Sequence, residues 1–508
     1  MLNWLSFTFK PAHKIWDNGH AEELGELVPS DLEMGHRGRL WPARLNRNWP
    51  PCWYMFFVLT IVCLFATLNS SSFHDPTRIY HAPHYDHNTS AHARLDALFA
   101  QEHQCLIDEY HQISKDFAPF YQLAQDDPRY FKKMVDMGTA KVKKDGRGMT
   151  TGRFHTGSFT FTDRQRTLYR NDWYRTFARI AALVPDMNLI INERDEPRVM
   201  FDYRRPNIKQ AVFNVTDPAP FEHAPQHTAA FFKDTMNCLV PNHPLGFTEL
   251  ANDASAFMLS SASTQFTTDL YPLLSMARIS PCFADILVPS EFYYSDSPRW
   301  TPRYKYPNNI PWDAKMSRLY WRGKASGGQI SGSNYRAFPR FRAVDIGRGR
   351  PDLMDVTISG FHKDLCGPDC DPTKIKAEYN INGKSARREE IYKYKYALDL
   401  DGNSFSGRYL GLLRSGSLVF KSTVFDEYFN DWLRPFEHYI PVLPDLSDLV
   451  QKIEWAIAND AEAHAIQEAG KAVADRVLTD AQNDCYFSAV MLEWAQLQSW
   501  GEGVSEGV

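Results

Sequence analysis

Leu398-Asp399-Leu400-Asp401-Gly402-Asn403-Ser404-Phe405-Ser406-Gly407-Arg408-Tyr409-Leu410 is the stretch whose reading decides the fold. It closes an apolar run, Tyr394-Lys395-Tyr396-Ala397, that reads as a buried strand over 394–400. A Gly/Ser loop follows, then a short helix over 406–415, then a second strand, Ser417-Leu418-Val419-Phe420-Lys421. A strand–helix–strand unit this tight calls for a parallel pair with a crossover helix. Free N–H groups at a helix start bind phosphate oxygens, and Arg408 brings a permanent charge in a fork that suits phosphate. The stretch is a diphosphate cradle in outline, and equally an ordinary glycine turn with a solvated arginine. Gly402 to Gly407 has Walker A spacing, but Arg408 and Tyr409 stand where that loop needs Lys and Ser/Thr, which argues against an NTPase. Asp399 and Asp401 alternate along the strand, so both carboxylates can face one side. They are weak candidates for a divalent metal such as manganese, beside the plainer reading of loop hydrogen bonds. No cofactor is firmly implied.

Three further stretches carry candidate chemistry. In Ile190-Ile191-Asn192-Glu193-Arg194-Asp195-Glu196-Pro197 a carboxylate follows a short strand over 188–192, and Pro197 prevents a helix. Parallel sheets place ligands at that edge, and Asp195 could there take a proton from a hydroxyl. The alternative is a loop carboxylate paired with Arg194 or Arg198. Trp321-Arg322-Gly323-Lys324, at the end of a strand over 319–323, offers a second anion site or a solvated basic turn. Around Trp432-Leu433-Arg434-Pro435-Phe436-Glu437-His438-Tyr439-Ile440-Pro441-Val442, Glu427 or Glu437 could accept from a ribose or sugar hydroxyl, while the aromatics read as core.

Working outward, residues 95–137 show helical spacing with breaks near Pro119 and Pro128. Residues 163–183 read as a helix striped by Leu168, Trp173, Phe177, Ile180 and Leu183, capped by Asp163. A strand is expected within 282–289, and residues 446–497 are helical. Two α/β lobes divided near 300–315 are the economical arrangement.

At 508 residues, the chain holds two to four domains of ordinary size. With 44% hydrophobic and 23% charged residues it is neither disordered nor a coiled coil. A net charge of -5 gives no basis for a nucleic-acid partner. A mean hydropathy of -0.43 excludes a polytopic membrane protein and leaves room for one span. Cys52-Trp53-Tyr54-Met55-Phe56-Phe57-Val58-Leu59-Thr60-Ile61-Val62-Cys63-Leu64-Phe65-Ala66-Thr67-Leu68 carries no charge and would form a helix of about 25 Å. Arg37, Arg39, Arg44 and Arg47 precede it and only Arg78 follows closely, which puts the N-terminus in the cytosol and the body in the lumen. The rival, a cleaved signal peptide, would have an unusually long leader. Six cysteines lie beyond the span: Cys105, Cys238, Cys282, Cys366, Cys370 and Cys485. Fifteen pairings are open. Cys366 and Cys370 could close a small loop or join a zinc site that lacks a second pair at ligand spacing. Sequons stand at Asn69, Asn88 and Asn214.

Taken together, Tyr396-Ala397-Leu398-Asp399-Leu400-Asp401-Gly402, Ser406-Gly407-Arg408, Leu412-Leu413-Arg414-Ser415-Gly416-Ser417-Leu418-Val419-Phe420-Lys421 and His438-Tyr439-Ile440-Pro441-Val442, with Trp321-Arg322-Gly323 upstream, resemble the capsule-associated-protein family of glycosyltransferases. That family includes Rumi-type protein O-glucosyltransferases and fungal xylosyltransferases, and this version looks like the fungal branch. The resemblance implies a GT-B fold, two Rossmann-like lobes with a cleft between them, and an inverting transfer of a xylose- or glucose-type sugar from a UDP-sugar to a glycan or protein hydroxyl. It implies Asp195 as catalytic base and Arg322, Arg408 and Ser406 as donor-binding residues, and Gly323, Gly407 and Glu427 are expected to complete the donor site. Animal relatives carry an aromatic where this chain has Gly407, so the donor sugar does not transfer from them. The expected organisation is a cytosolic tail (1–51), a transmembrane helix (52–68), a flexible stem (69–94), an acceptor-side lobe (95–305), a nucleotide-binding lobe (306–480) and a C-terminal helix and tail (481–508). This would be a single-pass type II membrane protein of the Golgi or endoplasmic reticulum. A catalytically inactive glycan-binding or scaffolding protein on the same fold is the alternative.

Overall fold

The computed structural model describes residues 110–163, 169–201, 265–295 and 310–500 apart from short internal breaks, with 105–106, 238 and two-residue strands at 222–223, 227–228 and 258–259. The tail, the span at 52–68, the stem, the three sequons and the lobe boundary at 305/306 lie outside the described residues. Among the described residues no helix is long and apolar enough to cross a membrane.

The first sheet begins with a hairpin that the apolar pattern of the sequence does not reveal. β1 (Met149–His155) and β2 (Ser158–Phe161) pair antiparallel, with His155 opposite Ser158. Between them, Thr156 and Gly157 have φ of 47° and 71°. Positive φ at both positions gives the turn whose twist matches its strands, and glycine adopts it freely. Asp186 steadies the turn by accepting from the Thr156 N–H at 2.8 Å. β1 also pairs antiparallel with β3 (Met187–Asn192). The preceding helix is shorter than expected, Arg170–Ile180, and buries Trp173, Phe177 and Ile180. Asp163 does not cap it. Its carboxylate accepts from Thr150 Oγ1 and the Thr151 N–H, each at 2.5 Å, and from Arg170 at 2.9 Å. The strand donors stand closer to it than the helix start.

β4 (Glu222–His223), β5 (His227–Thr228), β6 (Met258–Leu259) and β7 (Gln265–Phe266) form two small antiparallel ladders, β4 with β7 and β5 with β6. β8 (Leu274–Ser275) and β9 (Ile286–Leu287) then complete the first sheet, in the order β2-β1-β3-β8-β9. β3, β8 and β9 run parallel, but β1 and β2 do not. This sheet is therefore mixed, not wholly Rossmann-like, because a two-residue turn can join only antiparallel strands.

Helices His111–Asp126 and Arg129–Asp145 cover it together with the C-terminal helix Asp480–Trp500. Trp494 donates its indole N–H to the Asn188 carbonyl at 2.9 Å and meets Phe131 edge-on at 5.5 Å. The last helix thus packs on the first sheet. Pro119 lies inside the first of these helices and does not break it. An interior proline costs about 3 kcal/mol. Here the complete burial of Phe117, Phe120, Leu123 and Ala124 outweighs that cost.

The second sheet is wholly parallel. β10 (Met316–Ala325), β11 (Met354–Phe361), β12 (Tyr394–Leu400), β13 (Leu418–Ser422) and β14 (Ile440–Pro441) take the order β11-β10-β12-β13-β14. β12 is buried at every position and has the expected bounds. The crossover helix to β13 is only Tyr409–Leu413. Ser406 stays outside it because its hydroxyl is bonded back to β12. At the far end Ser415 bonds the Leu412 carbonyl at 2.6 Å and Gly416 turns at φ 71°. Leu319, Trp321, Phe341, Ile358, Tyr396, Leu398, Phe420 and Ile453 share one core under this sheet. Tyr320, Leu410 and Val419 belong to a second core continuous with the first sheet, so the two sheets share packing. The cysteines pair as Cys105–Cys485, Cys238–Cys282 and Cys366–Cys370. The last pair removes the zinc alternative, since its sulfurs bind each other.

Candidate active site

Parallel register sets the first part of the site. β12 and β13 place Asp399 opposite Lys421, on the same face. The two form a buried ion pair at 3.4 Å, and Asp399 also accepts from the Ser406 hydroxyl at 2.5 Å. Lys421 lies 3.7 Å from the centre of the Tyr409 ring. Asp401, just past the strand, accepts from the Val424 N–H at 2.9 Å, and its other oxygen is buried without a partner among the described residues. Burial raises its pKa to about 7 despite Lys421. Asp399 already holds a cation and a hydroxyl, which does not fit the oxygen set of a divalent metal. Among the described residues no three His, Cys, Asp or Glu side chains stand together as a metal site.

Glu427 joins this cluster from the loop after β13. It is 1% exposed and accepts from the Tyr293 hydroxyl. Its second oxygen is buried without a partner among the described residues. Burial raises its pKa to about 8, against the pull of Lys421. Glu437, by contrast, pairs on the surface with Arg434 at 3.3 Å.

The arginines divide differently from expectation. Arg322, on β10, pairs with Asp355 of β11 at 2.6 Å, and Tyr394 donates to the other Asp355 oxygen at 2.5 Å. The Arg322 charge is therefore already matched. Arg408, the N-cap of the short helix, donates one guanidinium N–H to the Arg322 carbonyl at 2.7 Å. Its other terminal nitrogen is buried and has no protein acceptor among the described residues. The Trp321 indole lies close against Gly323, where an added Cβ would stand 2.5 Å from the ring. Lys324 is exposed. A third guanidinium, Arg340, reaches the same strand ends and was not singled out in the sequence. It lies in Phe338-Pro339-Arg340-Phe341, which carries no motif.

The first sheet supplies the carboxylate. Asn192 ends β3. Its side-chain amide donates to the Glu196 carbonyl at 2.7 Å, and its side-chain oxygen accepts from the Arg194 N–H at 3.0 Å. These bonds fold 193–196 into a tight turn with Asp195 half-buried within it. Asp285, fully buried, clamps the segment beyond Pro197 by accepting from the N–H groups of Arg198 at 3.0 Å and Val199 at 2.9 Å, and it also takes the Ser275 hydroxyl at 2.6 Å. Burial, then the neighbouring Glu196 charge, raises the Asp195 pKa to about 7, with Arg194 acting in the other direction. Glu291, also buried, is raised to about 8 by burial, with smaller contributions from Asp172 and Asp195.

One turn touches both edges. Ser290 caps the 3₁₀ turn Glu291–Tyr293, accepting from the Phe292 N–H. Glu291 lies within electrostatic reach of Asp195. Phe292 meets Phe405, next to Ser406, edge-on at 5.8 Å, and Tyr293 bonds Glu427. Arg278 and Asp426 add a backbone bridge, with N···O distances of 3.0 and 2.8 Å. The three-residue turn thus stands between Asp195 on one side and Phe405 and Glu427 on the other. Such a site can hold an anion at the second sheet and accept a proton at the first.

Residues 304–508 match the model of Glycosyl transferase family 90. The chain is 29% identical over 201 residues to Protein O-glucosyltransferase 2 of Danio rerio, covering 39% of this chain and 36% of that protein. It is 29% identical over 198 residues to Protein O-glucosyltransferase 3 of Homo sapiens, covering 39% and 35%. It is 26% identical over 254 residues to Protein O-glucosyltransferase 1 of Rattus norvegicus, covering 45% and 58%. The chain thus spans about a third of the length of the first two relatives.

Proposed function

We propose that this protein is an inverting glycosyltransferase that moves a sugar of the xylose or glucose type from a UDP-sugar to a hydroxyl of a glycan or protein. The observation that carries the reading is the buried Arg408 nitrogen that has no acceptor among the described residues, at the C-terminal edge of a parallel sheet and inside the stretch that matches family 90. A buried N–H of a permanent cation is costly unless an anion takes it.

In this reading the acceptor hydroxyl attacks the anomeric carbon from the face opposite the diphosphate. Asp195 takes the hydroxyl proton as the new C–O bond forms. The bond to the leaving oxygen breaks, its electron pair stays on the diphosphate, and Arg408 stabilises the growing charge. Glu427 offers its free oxygen to the ribose. We route no step through a metal, because Asp399 is committed to Lys421 and Ser406.

The rest of the expectation belongs to the same proposal: a fungal-type family member anchored by residues 52–68, with its body in the lumen of the Golgi or endoplasmic reticulum. Three disulfides support an oxidising compartment. The second reading, an inactive glycan-binding scaffold, is favoured by the Arg322–Asp355 ion pair, which occupies one proposed donor ligand. A panel of UDP-sugars offered to the purified chain, with the product's anomeric configuration read by NMR, tests the choice. Transfer with inversion from one of them supports the enzyme. Absence of both transfer and UDP binding supports the scaffold.

A further inference from the structure

One Glu427 oxygen accepts from the Tyr293 hydroxyl, and the other is buried with no partner among the described residues. Asn483, near the start of helix Asp480–Trp500, is fully buried and reaches both neighbours of this carboxylate. Its amide donates to the Tyr293 carbonyl at 2.7 Å, and its side-chain oxygen accepts from the Tyr428 hydroxyl at 2.6 Å. One side chain thus holds the residue that bonds Glu427 and the residue that follows it. Asn430 fixes the backbone: its side-chain oxygen accepts from the Glu427 N–H at 3.2 Å, and its own N–H donates to the Glu427 carbonyl at 3.0 Å. Phe429 meets the Tyr293 ring edge-on at 5.6 Å, and Tyr428 lies 6.1 Å from it. This packing is aromatic and needs neither phenol hydroxyls nor an amide, which cost free energy in a core unless bonded. Bonded to each other, they restrict the chain around one carboxylate. Stability does not account for its open oxygen, because a buried acceptor without a donor is unfavourable. A ligand that brings hydroxyls offsets that cost, and an oxygen with both lone pairs open suits a vicinal diol. Lys421, Asp399 and Asp401 stand within electrostatic reach of Glu427, which places it at the strand ends of the donor site.

We propose that Tyr293 and Asn483 are positioning residues for the ribose of the donor: Asn483 fixes Tyr293 and Tyr428, Tyr293 takes one oxygen of Glu427, and the other oxygen is left in one orientation to receive the two ribose hydroxyls. This rests on the glycosyltransferase reading and deepens its donor site. The helix that carries Asn483 packs on the first sheet, so the device fixes a group of the second sheet's donor site from outside that sheet.

The test is calorimetric titration of UDP and of 2′,3′-dideoxyuridine diphosphate into the full chain as wild type, Tyr293→Phe, Tyr428→Phe and Asn483→Leu, with thermal midpoints, donor KM and kcat measured on each. Wild type is expected to prefer UDP to the dideoxy nucleotide. Tyr293→Phe, which removes one hydroxyl and keeps the ring, is expected to raise the UDP Kd and donor KM about tenfold with a smaller change in kcat, and to leave the Kd of the dideoxy nucleotide unchanged. Asn483→Leu is expected to show the same loss of preference, and Tyr428→Phe a smaller one that tests the Asn483 contact with the amide still in place. Tyr293→Phe at wild-type UDP affinity, or with both nucleotides weakened equally, overturns the inference and leaves the glycosyltransferase reading standing. So does a wild-type chain that binds both nucleotides equally well. A wild-type preference retained in Tyr428→Phe overturns the Asn483 role. A wild-type chain that does not bind UDP removes the reading and the inference together.

Discussion

Asp195 shows how far one residue's chemistry depends on its neighbours. A turn tied by Asn192 places it, burial raises its pKa to about 7, and the Glu196 charge acts in the same direction. A base works only when deprotonated, so turnover should rise with pH and level off above about 7. Steady-state kcat/KM measured from pH 5.5 to 8.5 checks this, and a flat profile speaks against Asp195 as the titrating base. The strand-end settings of Asp195 and Arg408 were legible in the sequence because strand and loop are contiguous there. The position of Arg340 was not, because the carbonyls of Lys324, Leu400 and Asp401 that it bonds meet only when β10 and β12 lie side by side. For Arg322, the sequence suggested a free cation, and its partner Asp355 sits 33 residues away on the adjacent strand.

Elements hold these residues in place, and Asp285 is the clearest fastening. Its carboxylate takes two backbone N–H groups and the Ser275 hydroxyl in a fully buried setting. Asp285→Ala leaves three donors unsatisfied and should cost about 3 kcal/mol or more, measured by urea denaturation, with turnover falling as the 195–199 segment shifts. A loss below about 1 kcal/mol would mean that this clamp does not hold the loop. Apolar runs revealed β12 with its full bounds, because all seven residues are buried and the pattern is continuous. The β1–β2 hairpin escaped because β1 buries Thr150, Thr151 and Gly152, which give no apolar signal, and Thr156 at positive φ is not a residue that announces a turn. The short helix after β12 was overestimated because hydrogen bonding of Ser406 to Asp399 is a tertiary choice. The same holds for Pro119, whose helix survives on burial alone.

At the scale of the molecule, several carboxyls sit in desolvated settings on and beside the two sheets. Asp116 and Asp285 are raised to about 6, Asp195 and Asp401 to about 7, and Glu291 and Glu427 to about 8, all chiefly by burial. Each folded value exceeds the unfolded one near 4. The folded state therefore binds more protons between about pH 4 and 8, and stability falls as pH rises through that window. Carboxylates that are lowered, such as Asp127 at about 2, act below it. The thermal midpoint of the unliganded chain should drop from pH 5 to pH 8, and a rise would contradict the burial of this group. In the proposed reaction a carboxylate on the first sheet acts on a donor held by the second. Transfer rate and UDP affinity of Asp195→Asn against wild type test it most directly. The account predicts a rate at least about 100-fold lower with UDP affinity unchanged. An Asn variant that transfers sugar at the wild-type rate would contradict it.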